Sequence, residues 1–125
     1  MAEPTIFVVT DADDLTDLLR MLRREGYQVI GTGDCESAQY MLQELRPDLL
    51  ITDYPELLLG RDQGLVRCLV DRGIHARSTT LALLREEDAA VIEGARGEGF
   101  HEVYVRPVKG ATLLPVVRRL LGADG

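Results

Sequence analysis

Basic residues are the minority charge in this chain: 14 Lys and Arg stand against 21 Asp and Glu, a formal net charge of −7 over 125 residues. Phosphate backbones are bound by clustered cations, so this balance argues against nucleic acid as a partner. No apolar run approaches the ~20 residues of a membrane-spanning helix, and Met1-Ala2-Glu3-Pro4 lacks the basic start of a signal peptide. A soluble cytoplasmic protein with no membrane partner is the expectation. Only two cysteines occur, Cys35 and Cys68, without metal-ligand spacing, which reads as reduced thiols. A glycine-rich phosphate loop is also missing after the first apolar run, where Asp11-Ala12-Asp13-Asp14 stands instead. Acids there would repel a phosphate unless a metal intervened, which disfavours a small nucleotide- or flavin-binding protein.

What is present is a regular alternation. Ile6 to Thr10 is β-rich, and Leu15, Leu18, Leu19 and Leu22 then recur at helical spacing until Glu25-Gly26. Tyr27 to Thr32 predicts a second strand. Asp34 is placed to cap a second helix, with Ala38, Met41, Leu42 and Leu45 inward, stopped by Pro47. Leu49-Leu50-Ile51-Thr52 carries no charge and runs into Asp53, as a strand buried on both faces would. A third helix is expected from about Gly64 to Arg72, with Cys68 packed inward, and a fourth strand over Thr79 to Leu84. Glu86-Glu87-Asp88 suits the first turn of a fourth helix, which contains Gly94 and Gly97 and should be short or mobile. Glu102 to Val105 predicts a fifth strand. The last stripe, Leu113, Leu114, Val117, Leu120 and Leu121, predicts a helix from near Thr112 with Pro115 in its first turn.

Strands alternating with amphipathic helices define a doubly wound α/β domain, a single unit over 1–125 with its core over about 5–121. For five parallel strands the order 2-1-3-4-5 is common. It sets strands one and three side by side, so Thr10-Asp11 and Asp53 would converge where such sheets bind ligands.

In this order and spacing several pieces resemble the receiver domain of two-component response regulators over nearly the whole chain. They are the acids after Val8-Val9, the segment Arg46-Pro47-Asp48-Leu49-Leu50-Ile51-Thr52-Asp53, Arg85 to Asp88, Gly99, and Arg106-Pro107. The resemblance implies a flavodoxin-like receiver fold and a phosphoacceptor at Asp53. It further implies a weak Mg²⁺ site made by Asp11, Asp53 and the backbone carbonyl of Pro55. A hard cation prefers oxygen ligands and offsets charge as a phosphoryl group arrives.

The departures are specific. Receivers open the acidic cluster with two adjacent acids, and here the first position is Thr10. The hydroxyl residue at the end of their fourth strand is matched by Leu83 or Leu84, neither of which donates a hydrogen bond. Thr80 is too far back along the strand to replace it, roughly 10–13 Å away. Their lysine is matched by Arg106, whose planar fork differs from a compact ammonium. Their switch aromatic is matched by Val103, with Tyr104 one place along and expected on the opposite face. Pro55 removes a backbone donor from the loop after Asp53.

Two readings follow. One is an atypical receiver, a pseudo-receiver, acting as a largely phosphorylation-independent interaction module and not as an enzyme. The other is a phosphoacceptor served by a histidine kinase. Either takes signalling proteins as partners, a histidine kinase or a downstream protein, as a monomer or weak homodimer. Candidate contacts are Leu57, Leu58 and Leu59, which dock a partner or roof the pocket, with Tyr104 and Val116, the latter otherwise a stray surface residue. His75 and His101 are expected in loops, with no partner spacing that suggests metal or catalysis.

Overall fold

A computed structural model describes residues 4–10, 15–33, 35–42, 44, 46–53, 79–84, 89–97, 100–105 and 108–122, with Asp53 entering by its backbone alone. Five strands, β1 (Thr5–Val9), β2 (Gln28–Thr32), β3 (Leu49–Asp53), β4 (Thr79–Leu84) and β5 (Glu102–Val105), form one parallel sheet in the order β2-β1-β3-β4-β5. Four helices are described: α1 (Leu15–Arg24), α2 (Cys35–Leu42), α3 (Ala89–Gly97) and α4 (Gly110–Leu120). The expected helix over Gly64 to Arg72, with Cys68, lies outside the described residues, as do Asp34, Leu45 and His75.

Parallel strands covered on both faces must be apolar on both, and these are. Ile6, Val8, Leu49, Ile51, Leu81 and Leu83 share one core with Leu18 and Leu22 of α1 and Leu113 and Val117 of α4. On the other face Ala82 and Leu84 pack with Val91 and Ala95 of α3 and with Phe100. Phe7, Val9 and Leu50, at the alternate positions of β1 and β3, are fully buried as well. The leucine spacing of α1 resolves into Leu18 and Leu22 buried, with Leu15 and Leu19 at the margin. Arg23 and Arg24 close that helix where cations suit the dipole, and Gly26 follows at φ 91, a left-handed position natural to glycine. The ladder is tied at its base: Asp48 Oδ2 accepts from the Thr5 N–H at 2.8 Å, and the Asp48 N–H donates to the Thr5 carbonyl at 2.8 Å.

One expectation needs correction. The last helix starts at Gly110, not near Thr112, so Pro115 sits inside it and not in its first turn. Both Thr112 and Leu113 donate to the Lys109 carbonyl at 2.9 Å, which nucleates the turn early. Pro115 withholds a bond only from Ala111, an exposed residue of that first turn whose carbonyl water can reach. Glu86, Glu87 and Asp88 lie outside the described residues, and α3 as described carries no acid in its first turn.

His101, at the bend before β5, is held by hydrogen bonds. Its Nδ1 lies 3.1 Å from the Thr80 N–H, which donates to it, and 3.1 Å from Thr80 Oγ1. Its own N–H approaches the Thr80 carbonyl at 3.0 Å and Thr80 Oγ1 at 3.3 Å. A loop residue with no metal or catalytic spacing is therefore the polar clasp joining the starts of β4 and β5.

Candidate functional site

The carboxyl ends of β1, β3, β4 and β5 converge on one sheet edge, and the register fixes which residues meet there. Val9 pairs with Thr52 and Asp53 pairs with Leu83. Thr10, one residue past Val9, thus stands level with Asp53 on the neighbouring strand, within about one interstrand spacing of ~4.8 Å. The crossover that places β1 between β2 and β3 makes this the switch point of the sheet, where open α/β folds leave a crevice. Thr10 is fully buried, and its N–H extends the ladder to the Thr32 carbonyl at 3.0 Å. Asp11, Asp13 and Asp14 follow outside the described residues, as do Pro55, Leu57, Leu58, Leu59 and Arg106. What the described residues bring together is therefore Thr10, the Asp53 backbone and the tip of β4.

That tip is apolar on both sides of the sheet. Leu83 is 1% exposed in the core shared with α1 and α4; Leu84 is fully buried against the α3 layer. Alternation along β4 sends the two to opposite faces, so whichever one stands at the hydroxyl position of a receiver, the side chain there is core packing and offers no donor. Thr80 is at the other end of β4, beside Leu50 in register and roughly 10 Å from Leu83, engaged with His101. It plays no part at this edge.

Val103 and Tyr104 divide as expected. Val103 packs with the α3 layer and Tyr104 with the opposite core, next to Leu83 in register. Both are partly buried. Val116 is partly buried too and packs on the α1/α4 core, so it is not a stray surface residue. The large apolar side chain most exposed among the described residues is instead Tyr40 on α2, at 76%. It falls off the inward stripe of Ala38 and Met41, and only the helix's exact orientation on the sheet exposes it.

Among the described residues no three carboxylates, thiols or imidazoles cluster as a metal site. Nor, among them, is any helix long and apolar enough to cross a membrane. The oxygen donors at the switch point that can be placed are those of Thr10 and the β3 backbone, a sparser set than a pair of acids would supply to a hard cation.

No family model matches the chain. It is similar to the transcriptional regulatory protein AfsQ1 of Streptomyces coelicolor, 29% identical over 119 residues, covering 94% of this chain and 51% of that protein. It is also similar to the DNA-binding response regulator MtrA of Mycolicibacterium smegmatis, 30% identical over 117 residues, covering 93% of this chain and 50% of the relative. The chain thus spans about half the length of the curated relatives it matches. In fold it resembles a response regulator from Thermotoga maritima, with a TM-score of 0.81 at 18% identity, covering 97% of this chain and 99% of that one. The chemotaxis response regulator CheY4 of Vibrio cholerae gives a TM-score of 0.76 at 20% identity, covering 95% and 99%. The five-stranded parallel sheet in the order 2-1-3-4-5 is the CheY-like, flavodoxin-like fold of these proteins.

Proposed function

From the premise that relatives and structural neighbours support, a CheY-like receiver domain of response regulators, we propose that this domain is an atypical receiver, a pseudo-receiver, working as a signalling interaction module largely independent of phosphorylation. The observation that carries this reading is the tip of β4. The resemblance matches Leu83 or Leu84 to the place where a hydroxyl would meet a phosphoryl oxygen, and both leucines are committed to hydrophobic cores. A hydrogen bond to a charged oxygen is worth ~1.5–3 kcal/mol, so its loss weakens both the acceptance of a phosphoryl group and the coupling of that event to β4. Thr10 in place of an acid removes one negative charge from the neighbourhood of a cation. We assign Mg²⁺ only a weak place here, through Asp11, Asp53 and the Pro55 carbonyl, where it would supply charge neutralisation. Arg106 would relieve the repulsion between the two acids by pairing with them.

The unit proposed is a single domain over 1–125, cytoplasmic, monomeric or weakly dimeric. Its partners would be a histidine kinase or a downstream signalling protein, met through Leu57, Leu58 and Leu59 or through the exposed margins of Tyr104 and Val116. Relatives named DNA-binding are about twice as long as the matched segment, and the proposed absence of nucleic-acid contact concerns this domain alone.

A second reading rests on the same relatives, which are response regulators: Asp53 accepts a phosphoryl group from a histidine kinase in the presence of Mg²⁺. An amide-resolved NMR titration separates the two. Mg²⁺ followed by beryllium fluoride should leave β4, α3 and β5 unshifted in the interaction module. Shifts at Asp11 and Asp53 that spread into those elements would establish the phosphoacceptor. In parallel, Asp53→Asn should leave partner binding unchanged, and a strong loss would reject the module.

A further inference from the structure

The outer flank of α1 holds an open cleft of about 390 Å³ lined by Thr16, Leu19, Arg20, Arg23 and Arg24. These positions lie three, four, seven and eight apart, so they form one face of the helix. Three arginines lining one cleft stand out in a chain of net charge −7. Their local compensation is slight. Among the described residues Arg20 pairs with Asp17, at 4.0 Å, with the two side chains 63% and 80% exposed, a pair of little energetic consequence. Among the same residues the Arg24 side chain has no ion pair, and the neighbouring Glu25 is engaged elsewhere, 3.6 Å from Arg118 of α4. Arg23 gives one N–H to the Val29 carbonyl at 3.0 Å, which holds its fork in place while its other donors remain for a ligand.

The floor of the cleft is apolar. Leu19 lies flat on β2 because position 31 is glycine: a Cβ there would come within 2.8 Å of Leu19 Cδ2. A half-buried leucine framed by arginines suits an apolar side chain flanked by carboxylates.

We propose that this cleft docks an acidic segment of a partner protein, carboxylates on Arg20, Arg23 and Arg24 and one apolar side chain on Leu19. Anionic bilayers are recognised by clusters of about 4–8 basic side chains, more than this concave site presents. A nucleic acid would meet the repulsion of the whole domain once it extended beyond the cleft. A short acidic peptide is favoured because it is confined to the positive region. The proposal rests on the reading of a partner-binding domain but is indifferent to the chemistry at Asp53.

The test uses a fluorescein-labelled peptide, Glu-Asp-Leu-Glu-Glu, titrated with the whole protein by anisotropy and mapped by amide shifts. Binding should perturb Thr16, Leu19, Arg20, Arg23 and Arg24 and should weaken several-fold between about 50 and about 200 mM salt. Arg20→Glu with Arg24→Glu should weaken it at least tenfold while the circular-dichroism spectrum remains that of the folded protein, whereas Arg24→Lys should retain most of the affinity. No binding to the wild-type protein, equal binding by the double variant, or equal binding of a single-stranded oligonucleotide of the same charge would each overturn the proposal. Failure here would leave the Asp53→Asn result untouched, so the two readings fall separately.

Discussion

Leu84→Thr would place a hydroxyl at the end of β4 and tests the reasoning about the site most directly. Leu84 is fully buried with Ala82, Val91, Ala95 and Phe100. The substitution removes about two methylene equivalents at ~0.8 kcal/mol each. It also buries a hydroxyl, adding about 1–3 kcal/mol where no partner is found. The total, ~3–4 kcal/mol, is less than the 5–15 kcal/mol of a typical domain, so the variant should fold. At an m-value of about 2 kcal/mol/M, urea unfolding followed by circular dichroism should show the midpoint fall by ~1.5–2 M. The second half of the experiment adds Mg²⁺ and beryllium fluoride. If the missing hydroxyl is what deprives the pocket of phosphoryl sensing, the additive should raise the midpoint of the variant, by up to the ~1.5–3 kcal/mol of a bond to a charged oxygen, and leave the wild type unchanged. A destabilisation below ~1 kcal/mol would refute the packing argument. An equal rise in the wild type would refute the claim that leucine silences the site. Leu83→Thr, which disturbs the opposite layer, is the control.

Other perturbations separate packing from conformation and charge. His101→Ala should cost about 1–3 kcal/mol in urea unfolding, because it strips the Thr80 N–H of its acceptor; hydrogen exchange should quicken at Thr80 before it does in β1. Gly31→Ala should destabilise by roughly 1 kcal/mol, since the new methyl meets Leu19 at 2.8 Å and Leu15 at 3.1 Å. Gly110→Ala should be near neutral by the same assay: the methyl's close contact is the flexible end of Met21, at 2.9 Å, with Leu114 at an ordinary 4.0 Å, and alanine favours the helix. Arg119→Ala breaks a 2.7 Å ion pair with Glu102 at an exposed site, and its effect should stay below about 1 kcal/mol and shrink with salt.

Where the sequence carried a periodic or alternating signal, the elements were legible from it. β4 and β5 fall on the residues their composition marks, and the parallel order follows from the alternation of strands and helices. The start of the last helix is not legible, because a proline suits a first turn equally well. In fact α4 carries it one turn in, where the carbonyl it deprives of a helix bond belongs to the exposed Ala111. The bonding of His101 is illegible for a different reason. Its partner Thr80 is 21 residues away, and only the register of β4 against β5 brings the two together. At the switch point the juxtaposition of Thr10, Asp53 and the leucines of β4 could be read from strand order, since it depends on backbone register alone. The α1 cleft could not, because Arg20, Arg23 and Arg24 are ordinary surface residues until Gly31 lets Leu19 settle and the flank becomes concave.

The His101 clasp also bears on how β4 keeps its alignment. A strand with polar and apolar faces is aligned by its own pattern, because a slip of one residue would drive charges into the core. β4 has no such protection: from Leu81 to Leu84 each side chain is apolar, and sliding by one place would merely exchange one buried hydrocarbon for another. The alignment falls to the bonds of Thr80, whose N–H, hydroxyl and carbonyl all face His101. An imidazole on the rim away from the switch point thus acts as an index pin, and it keeps Leu83 beside Asp53.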